Sequence, residues 1–402
     1  MIDFELTEQQ KMTVDMVRQY CQKNVAPRVR EMDNDEKIPD DIIKGLAQQG
    51  ILGMAFKPEY GGIGADPLTV GLVAEEIGRA DVSCALPVFF LVQSAWGYIL
   101  QKYGTEEAKK ELLPQVARGE IFLGIGSTEP DTGSDVLNIR TKAVKKGNDY
   151  VINGEKMYIS GVREVLTQMP KGGGHLTVVK TDPSAGAKGL SLIFIPLRSK
   201  GITPTYLEDW GRRAISTGGF ALEDVKVPKK YLVGEEGRGF FYLMQGFDYA
   251  RAIIALVCCG ASMRAMEIAM DYIKQRKAFG TPLAKFEGVQ FPLAENWSQM
   301  EAIRLLSLKA LWMYNREQNE GKAERFETSK CIAEAKLLAP IMAFKAINEA
   351  MQWFGAFGYT TECPLDMALK GVRSYQWAEG ASEVLKMIVA RELLGKEFVA
   401  TK

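Results

Sequence analysis

The stretch from Tyr375 to Arg391, YQWAEGASEVLKMIVAR, contains a carboxylate whose surroundings suit proton transfer. Glu379 directly precedes Gly380. It lies between an aromatic pair, Tyr375 and Trp377, and an apolar run typical of a helix. Burial among such neighbours disfavours the charged carboxylate and raises its pKa. A base tuned in this way can remove a weakly acidic proton from carbon near neutral pH. Taken alone, the same residues also fit an ordinary loop glutamate that precedes a helix.

Composition excludes several classes of function. The chain has 402 residues, enough for about two or three domains, and its 50 lysines and arginines balance its 50 aspartates and glutamates. No net charge therefore draws it to nucleic acid or to an anionic membrane. No apolar run approaches the roughly 20 residues of a membrane span. The acidic start, MIDFELTEQQ, has neither signal-peptide nor transit-peptide character. We expect a cytoplasmic protein, or one already processed, without a membrane span.

Cysteine and histidine usage narrows the chemistry further. No C-x-x-C pair occurs, so buried free thiols are favoured over disulfides or zinc ligands. The only histidine is His175, so we expect no His-based triad, proton shuttle or metal site. The proton chemistry of an enzyme with this composition would rest on a carboxylate, a lysine or a tyrosine. The six cysteines are Cys21, Cys84, Cys258, Cys259, Cys331 and Cys363.

The hydrophobic period changes twice along the chain. Residues 1–118 have a helical pattern, 119–233 a β pattern and 234–402 a helical pattern again. In the middle region KKGND (145–149) and Asn153-Gly154 are typical of hairpin turns. Strands that follow one another without helices predict an antiparallel sheet or barrel. The fold class is thus α+β and mostly α, with a helical N-terminal domain, a middle domain that is an antiparallel sheet or β-barrel, and a C-terminal helical bundle.

Two kinds of loop could bind a ligand. GGIGAD (61–66) and GEEGRG (234–239) resemble phosphate loops, but neither lies between a strand and a helix of a βαβ unit, so a Rossmann site is not expected. STEPDTGSD (127–135) combines hydroxyls that can bond to a ring edge, such as Thr128 and Ser134, with Gly133, which allows close approach of a flat ligand. A hydrophilic connection between strands is the competing interpretation.

Six motifs occur together in one order. They are TEPDTGSD (128–135), KMYIS (156–160), LEDVKVP (222–228), RKAFG (276–280), Gln352 with WFGAFGY (353–359), and AEG followed by VAR (378–391). In this combination the chain resembles the acyl-CoA dehydrogenase family over essentially its whole length. The resemblance implies a helical domain, a middle β-barrel and a C-terminal four-helix bundle, one FAD per subunit and a homotetramer.

The resemblance also implies a reaction. The glutamate of the E-G motif, here Glu379, takes a proton from the α-carbon of an acyl-CoA thioester, and the β-hydrogen leaves as hydride to the flavin. In the family the enolate oxygen is hydrogen-bonded by the backbone N–H of the base and by a flavin ribityl hydroxyl. The reduced flavin normally passes its electrons to electron-transfer flavoprotein, which is the expected partner.

The family's functional positions carry over residue by residue. The resemblance implies that the residues along the flavin are Ile125, Ser127, Thr128, Gly133, Ser134, Tyr158 and Ser160. A neighbouring subunit would contribute Arg276 and Phe279 to the pyrophosphate and adenine side of FAD, and the nucleotide site would be completed by Gln290, Gln352 and Gly355. The substrate would contact Ser134, Phe247, Asp248, Arg251, Ala378 and Gly380.

Four features depart from the family pattern. Ala378 stands where an aromatic residue is usual, which predicts a wider acyl pocket. Ala381 and Glu383 replace a threonine and a glutamine that often touch FAD, and Lys370-Gly371 replaces an Arg-Asp pair. The segment 162–175 is longer and richer in glycine; it is either a tolerated insertion or a contact to the flavin edge or the electron acceptor.

The absence of an arginine from residues 82–100 bears on the class of acyl group. Members specific for glutaryl-CoA carry an arginine in the helix corresponding to 82–100, and this stretch has none. A free carboxylate buried there would be costly, so we expect a neutral aliphatic or alicyclic acyl group of short to medium length. Two other interpretations stay open: a relative with other thioester chemistry, such as an oxidase or a desulfinase-like enzyme, and a flavin-free scaffold protein.

Overall fold

The computed structural model describes residues 5–398, and helices dominate it at both ends of the chain. Thr7 and Gln10 form a capping box at the first helix, and the Asp66 side chain caps the fourth by accepting from two backbone N–H groups. The N-terminal helices are α1 (Glu8–Asn24), α2 (Val29–Asp35), α3 (Asp40–Gln48), α4 (Pro67–Ala80), α5 (Ala85–Tyr103) and α6 (Glu106–Ala117).

Helix α5 is a core helix. Its residues are buried from Ala85 to Leu100. Pro87 lies in its first turn, where a missing N–H costs no helical hydrogen bond, so no kink is needed. The buried carboxylate of Asp81 accepts from the Ser83 hydroxyl and from the backbone N–H of Leu86, at 2.5 and 2.7 Å. The second bond satisfies a backbone N–H at the start of a buried helix.

The middle region forms one mixed sheet, and the prediction of an antiparallel barrel was wrong. The strands follow the order β6-β7-β3-β2-β4-β5-β8, with β1 beside β4, and this path does not close. β1 and β2 both pair with β4 in parallel, because a long crossover containing β3 precedes β4. The strands are β1 (Phe122–Gly126), β2 (Lys142–Lys146), β3 (Asp149–Ser160), β4 (Gly173–Lys180), β5 (Leu190–Pro196), β6 (Ile202–Leu207), β7 (Thr217–Pro228) and β8 (Leu232–Val233).

Two local predictions in this region need correction. The Asn153-Gly154 turn is not a hairpin: β3 continues through it, and a register shift against β7 absorbs the irregularity. The sequence analysis also missed β6, which contains Pro204. Proline is tolerated there because β6 is an edge strand that pairs with β7 alone. The KKGND turn between β2 and β3 is a hairpin as predicted.

The C-terminal region is helical as predicted. Helix α9 packs against α7, α8 and α11, while the short α10 lies beside α9 and was not predicted. α7 has the length and apolarity of a membrane span, but 78% of its most apolar window is buried inside the protein, as in a core helix. The helices are α7 (Gly239–Gln275), α8 (Glu287–Asn315), α9 (Arg325–Trp353), α10 (Leu365–Ser374) and α11 (Ser382–Leu394), and a two-stranded ribbon, β9 (Lys277–Ala278) and β10 (Thr281–Pro282), follows α7.

The packing of α10 yields a test of the fold. A Cβ at Gly371 would lie 2.3 Å from the carbonyl oxygen of Ser83, a backbone atom that cannot rotate away. We expect Gly371→Ala to lower the free energy of unfolding by about 1–3 kcal/mol in urea denaturation. Gly288→Ala is the matched control, since no atom lies within 4 Å of the added Cβ, and it should be neutral or mildly stabilising. Equal stability of the two variants would contradict this packing.

Candidate active site

Glu379 sits on an unusual backbone turn. Its φ is 57° and that of Gly380 is 112°, so two consecutive residues have positive φ and one of them is not glycine. A Cβ at Gly380 would come within 3.0 Å of Arg251 Nη2, so both conformation and space favour glycine there. Arg251 donates its Nε–H to the Glu379 carbonyl at 2.7 Å, and Lys336 donates its Nζ–H to the Gly380 carbonyl. Two cations therefore hold the turn.

The Glu379 side chain combines burial with an absence of partners. Its Oε2 atom is buried and has no hydrogen-bond partner among the described residues, although the residue as a whole is partly exposed to a cavity. Burial raises the pKa of this carboxyl to about 7, against the opposing charges of Arg251 and Lys336. The carboxyl can therefore exchange a proton near neutral pH, as the sequence predicts.

Arg251 and Asp248 form a buried ion pair beneath the turn. Arg251 Nη1 lies 3.1 Å from Asp248 Oδ1, and the guanidinium also stacks on the Phe247 ring at 5.4 Å. The other oxygen of Asp248 accepts from the Ser329 hydroxyl at 2.8 Å and lies 3.4 Å from Arg325 Nη2. Both members of the pair are thus compensated by contacts within the protein.

A cavity of about 970 Å³ opens in front of Glu379, between the sheet and the C-terminal helices. The sheet side contributes hydroxyls and small residues, and the helical side contributes aromatic and aliphatic side chains. A cavity of this size with convergent polar groups is typical of a site for a cofactor or a substrate. The residues of the 125–134 loop and of β3 that line it are Ile125, Ser127, Thr128, Gly133, Ser134, Tyr158, Ile159 and Ser160. The helical wall includes Val92, Phe240, Phe241, Met244, Phe247, Phe326, Val384 and Ile388.

A buried ion pair supports the 127–135 loop. Lys156 Nζ lies 2.8 Å from Glu129 Oε1, and the same carboxylate accepts from the Thr141 hydroxyl and from the backbone N–H of Arg140. Burial would raise the pKa of Glu129, but Lys156 and the hydrogen bonds outweigh it and hold that pKa below its usual value. Lys156 also donates to the Ser127 carbonyl at 3.2 Å, so the loop is fixed from beneath.

Tyr158 reaches the cavity through a bulge. Its φ is 62°, and the register between β3 and β7 shifts between Met157 and Ile159. A bulge re-aims a side chain that regular alternation would place on the other face. The tyrosine is 64% exposed, which leaves its ring on the cavity wall rather than in the core.

The structure brings most of the predicted site residues together. All seven residues predicted along a flavin and all six predicted at a substrate line the cavity with Glu379. The five remaining predicted residues do not line it within one chain. Phe279 is fully exposed with a φ of 51°, and the Gln290 amide donates to the Ala284 carbonyl at 2.8 Å. The other three are Arg276, Gln352 and Gly355.

Sequence reasoning missed several residues of the wall. Thr217 pairs with Ser160 across β3 and β7, and its Oγ1 is buried without a partner among the described residues. Arg212 has a φ of 58° and a buried Nε that likewise has no partner. The LEDVKVP motif (222–228) indicates the second half of β7, but Thr217 is the first residue of that strand and lies outside the motif. Lys336 was missed because one lysine in an apolar helical pattern gives no signal of burial.

The departures from the family pattern have structural explanations. Ala381 lines the cavity, whereas the Glu383 side chain is 77% exposed and lies 3.7 Å from Lys386. Gly371 lets α10 approach the Ser83 backbone, and Lys370 pairs with Asp366 at 3.2 Å. A larger residue than glycine at position 371 would not fit this approach.

The glycine-rich segment 162–175 does not line the cavity. It contains a π-helix at Glu164–Gln168, whose buried Glu164 accepts from the Ser216 backbone and hydroxyl, and Gln168 donates to the Ile38 carbonyl. These bonds join the sheet to the N-terminal helices. His175, at the end of the segment, is fully buried, and burial lowers its pKa to about 4. It is thus a neutral residue of the sheet core.

Comparison with known proteins agrees with this arrangement. Three family models match in order along the chain: the acyl-CoA dehydrogenase N-terminal domain over residues 7–120, the middle domain over 124–225 and the C-terminal domain over 237–394. Together they cover nearly the whole chain.

Individual relatives match over at least nine-tenths of their length. The probable acyl-CoA dehydrogenase YngJ of Bacillus subtilis (strain 168) is 34% identical over 394 residues, which are 98% of this chain and 100% of that protein. Cyclohex-1-ene-1-carbonyl-CoA dehydrogenase of Syntrophus aciditrophicus (strain SB) is 33% identical, covering 97% of this chain and 91% of that protein. The structure of a glutaryl-coenzyme A dehydrogenase in complex with glutaryl-CoA has a TM-score of 0.90 at 30% identity and covers 100% of this chain and 99% of that one.

The raised pKa of Glu379 makes a prediction about stability. In the unfolded chain this carboxyl ionises near its usual value of 4.5, whereas in the folded protein it ionises near 7. Between these values unfolding releases a proton, so Glu379 destabilises the fold increasingly as pH rises from about 4.5 to about 7. Glu379→Gln lacks this penalty. The difference in free energy of unfolding between Glu379→Gln and the wild type should therefore grow in favour of the variant from about pH 4.5 to about pH 7, and stay constant above pH 7.

Urea unfolding of both proteins at a series of pH values measures this difference. Glu383→Gln, at a side chain that is 77% exposed, serves as the control and should show no such trend. A stability difference between wild type and Glu379→Gln that does not change with pH would show that the carboxyl is not held in its raised state.

Proposed function

This chain belongs to the acyl-CoA dehydrogenase family of FAD-dependent enzymes, and we propose that it dehydrogenates a neutral acyl-CoA thioester with Glu379 as the base. The observation that carries the proposal is the Glu379 carboxyl at the wall of a large cavity, with its Oε2 buried and without a hydrogen-bond partner among the described residues. The three regions 1–118, 119–233 and 234–402 are its proposed domains. The buried free cysteines suit a reducing compartment, in agreement with a cytoplasmic location.

The cavity fits a flavin on its sheet side. A flat heteroaromatic ring needs hydrogen-bonding groups at its edge and small or apolar groups on its face. Hydroxyls from the 127–134 loop, β3 and β7 supply the hydrogen-bonding groups for the ring edge. The Thr217 Oγ1 atom is buried and has no partner among the described residues, so a bound ligand would satisfy it. The open space beside Gly133 leaves room for close approach. The hydroxyl residues of the wall are Ser127, Thr128, Ser134, Ser160 and Thr217.

The proposed reaction divides the work between Glu379 and the cofactor. The Glu379 carboxylate takes the proton from the α-carbon of the thioester, and the electron pair of that C–H bond forms the new C=C bond. FAD held at the sheet wall would supply the acceptor for the hydride that leaves the β-carbon, and the product would be an α,β-unsaturated acyl-CoA. The backbone N–H of Glu379 donates to the thioester oxygen, where negative charge develops as the proton leaves.

Desolvation of the base is what makes this proton transfer feasible. An α-proton of a thioester is weakly acidic, so a carboxylate with its usual pKa of 4.5 would be too weak a base. The aromatic wall beside Glu379 limits water around the carboxylate and strengthens electrostatic interactions within the site. Phe247 and Trp377 contribute to this wall.

The charges on the cavity wall favour a neutral acyl group. Arg251 and Arg325 are both paired with Asp248, and Arg391 lies 2.7 Å from Glu392. These three guanidinium groups are already compensated, so a carboxylate on the acyl tail would gain little from them. The fourth arginine of the wall is Arg212, whose charge acts on the carboxyl of Asp209, also on the wall. The α5 segment contributes Val92 to the wall and no arginine.

A homotetramer and electron-transfer flavoprotein are the proposed partners. The five predicted nucleotide-site residues lie away from the cavity of their own chain, as expected if a neighbouring subunit supplies part of the FAD site. Phe279, fully exposed on the β9–β10 ribbon, is the plainest example. Electron-transfer flavoprotein would then reoxidise the flavin.

Replacement of the base tests the proposed reaction. Glu379→Gln should retain FAD, because this side chain lies opposite the sheet wall, but should bleach at least about 10²-fold more slowly on anaerobic mixing with acyl-CoA. The flavin absorbance band measures the reduction directly. Glu383→Gln should bleach like the wild type. Bleaching of Glu379→Gln at the wild-type rate would refute the base assignment.

A panel of acyl-CoA substrates tests the predicted width and charge preference of the acyl pocket. Butyryl-, octanoyl-, cyclohexanecarboxyl- and glutaryl-CoA are compared by competitive turnover. Ala378→Tyr should lower kcat/KM for cyclohexanecarboxyl-CoA by about tenfold or more while sparing butyryl-CoA, because the added ring narrows the pocket. A clear preference of the wild type for glutaryl-CoA would contradict the neutral acyl group. Loss of that preference in Arg212→Met would then locate the anion at Arg212, whose buried Nε has no hydrogen-bond partner among the described residues.

A further inference from the structure

Lys336 is a lysine in the core of the helical region. It lies in the middle of α9 and has no exposed surface. A buried ammonium without partners would be costly, so its surroundings must compensate the charge or lower its pKa. Its Nζ donates to the carbonyl oxygen of Gly380, the residue that follows the proposed base.

The Glu379–Gly380 turn depends on two helices. Arg251 on α7 donates to the first carbonyl of the turn, and Lys336 on α9 donates to the second. A non-glycine residue with positive φ persists only when surrounding contacts enforce it. The two cations, reaching in from different helices to adjacent peptide groups, are such contacts.

We propose that Lys336 is a positioning residue for the base: its bond to the Gly380 carbonyl fixes the turn that presents Glu379, and its charge keeps Glu379 ionised. This role deepens the proposed function and rests on it, since it assumes that Glu379 removes the α-proton. Lys336 does not line the cavity, so it acts through Glu379 and not on the substrate.

The electrostatic surroundings of the pair are simple. Burial and, after it, the charge of Arg251 lower the pKa of Lys336, the charge of Glu379 opposes them, and the result is a pKa of about 7. Cys258, on α7, is the other group that acts on Lys336, and burial keeps the pKa of its thiol well above the usual value. Arg251 and Lys336 are the charges that shift the pKa of Glu379. Arg391 on α11, Arg325 on α9 and Arg212 line the same cavity. Arg391 is paired with Glu392, and Arg325 with Glu317 and Asp248.

The protonation states of Lys336 and Glu379 are therefore linked. A charged Lys336 stabilises the Glu379 carboxylate, and an uncharged one allows the carboxyl to retain its proton. Without the lysine charge, the pKa of Glu379 should rise. The base would then be protonated, and inactive, over a wider range of pH.

Two substitutions separate the charge from the hydrogen bond. Lys336→Met removes both and leaves an apolar side chain of similar length in an apolar site. Lys336→Gln removes the charge but keeps a neutral donor near the Gly380 carbonyl. Lys345→Met is the matched control on the same helix, where the lysine is 41% exposed and lies 3.1 Å from Glu349.

The pH dependence of kcat/KM in the holoenzyme gives the main result. In both Lys336 variants the acid limb should move up by about one pH unit, so that activity falls about tenfold at pH 6 and recovers by pH 9. At pH 9 Lys336→Met should remain slower than Lys336→Gln, because it alone lacks the donor to Gly380. Lys345→Met should keep the wild-type profile.

An infrared titration of the carboxyl gives a result that does not depend on turnover. The protonated Glu379 band, identified by its absence in Glu379→Gln, should persist to higher pH in both Lys336 variants. An unchanged acid limb, or a uniform loss of activity at all pH values that follows thermal stability, would overturn the positioning role. If instead the proposed function is wrong, Glu379→Gln will bleach normally, while the infrared shift will still report the coupling between Lys336 and Glu379.

Discussion

The desolvated carboxylate of Glu379 is the constraint on which the rest of the site depends. It is held on a turn in which two successive residues have positive φ, and the turn is held by cations from α7 and α9. Burial pushes the pKa of the carboxyl up, and the same cations pull it down, so that its proton affinity settles near neutral pH. A single arrangement of helices thus fixes both where the base lies and how strong it is.

The two walls of the cavity have different origins and different tasks. The sheet wall is polar because the loop after β1 and the bulge in β3 bring hydroxyls and a tyrosine to one face, and the Lys156–Glu129 pair keeps that loop in place. The helical wall is apolar because α7 and α11 expose aromatic and aliphatic side chains there. A ring with polar edges suits the first wall, and an acyl chain suits the second.

Much of this arrangement could be predicted from the sequence, and the rest depends on tertiary contacts. Glu379, Thr128 and Ser134 belong to motifs, so their proximity in the fold could be expected. Thr217 and Lys336 belong to none: the first matters because β3 and β7 pair in one register, and the second because α9 faces the turn. The parallel pairing of β1 with β4 could not be predicted either, since local patterns carry no information about a crossover.

The most direct test of the account is the pH dependence of flavin reduction with α-deuterated and unlabelled acyl-CoA. If Glu379 takes the α-proton from a desolvated position, the reduction rate will rise through a limb near pH 7, and deuterium at the α-carbon will slow it at every pH below and above that limb. A limb near the usual glutamate value of 4.5, or a rate that deuterium does not change, would contradict the account.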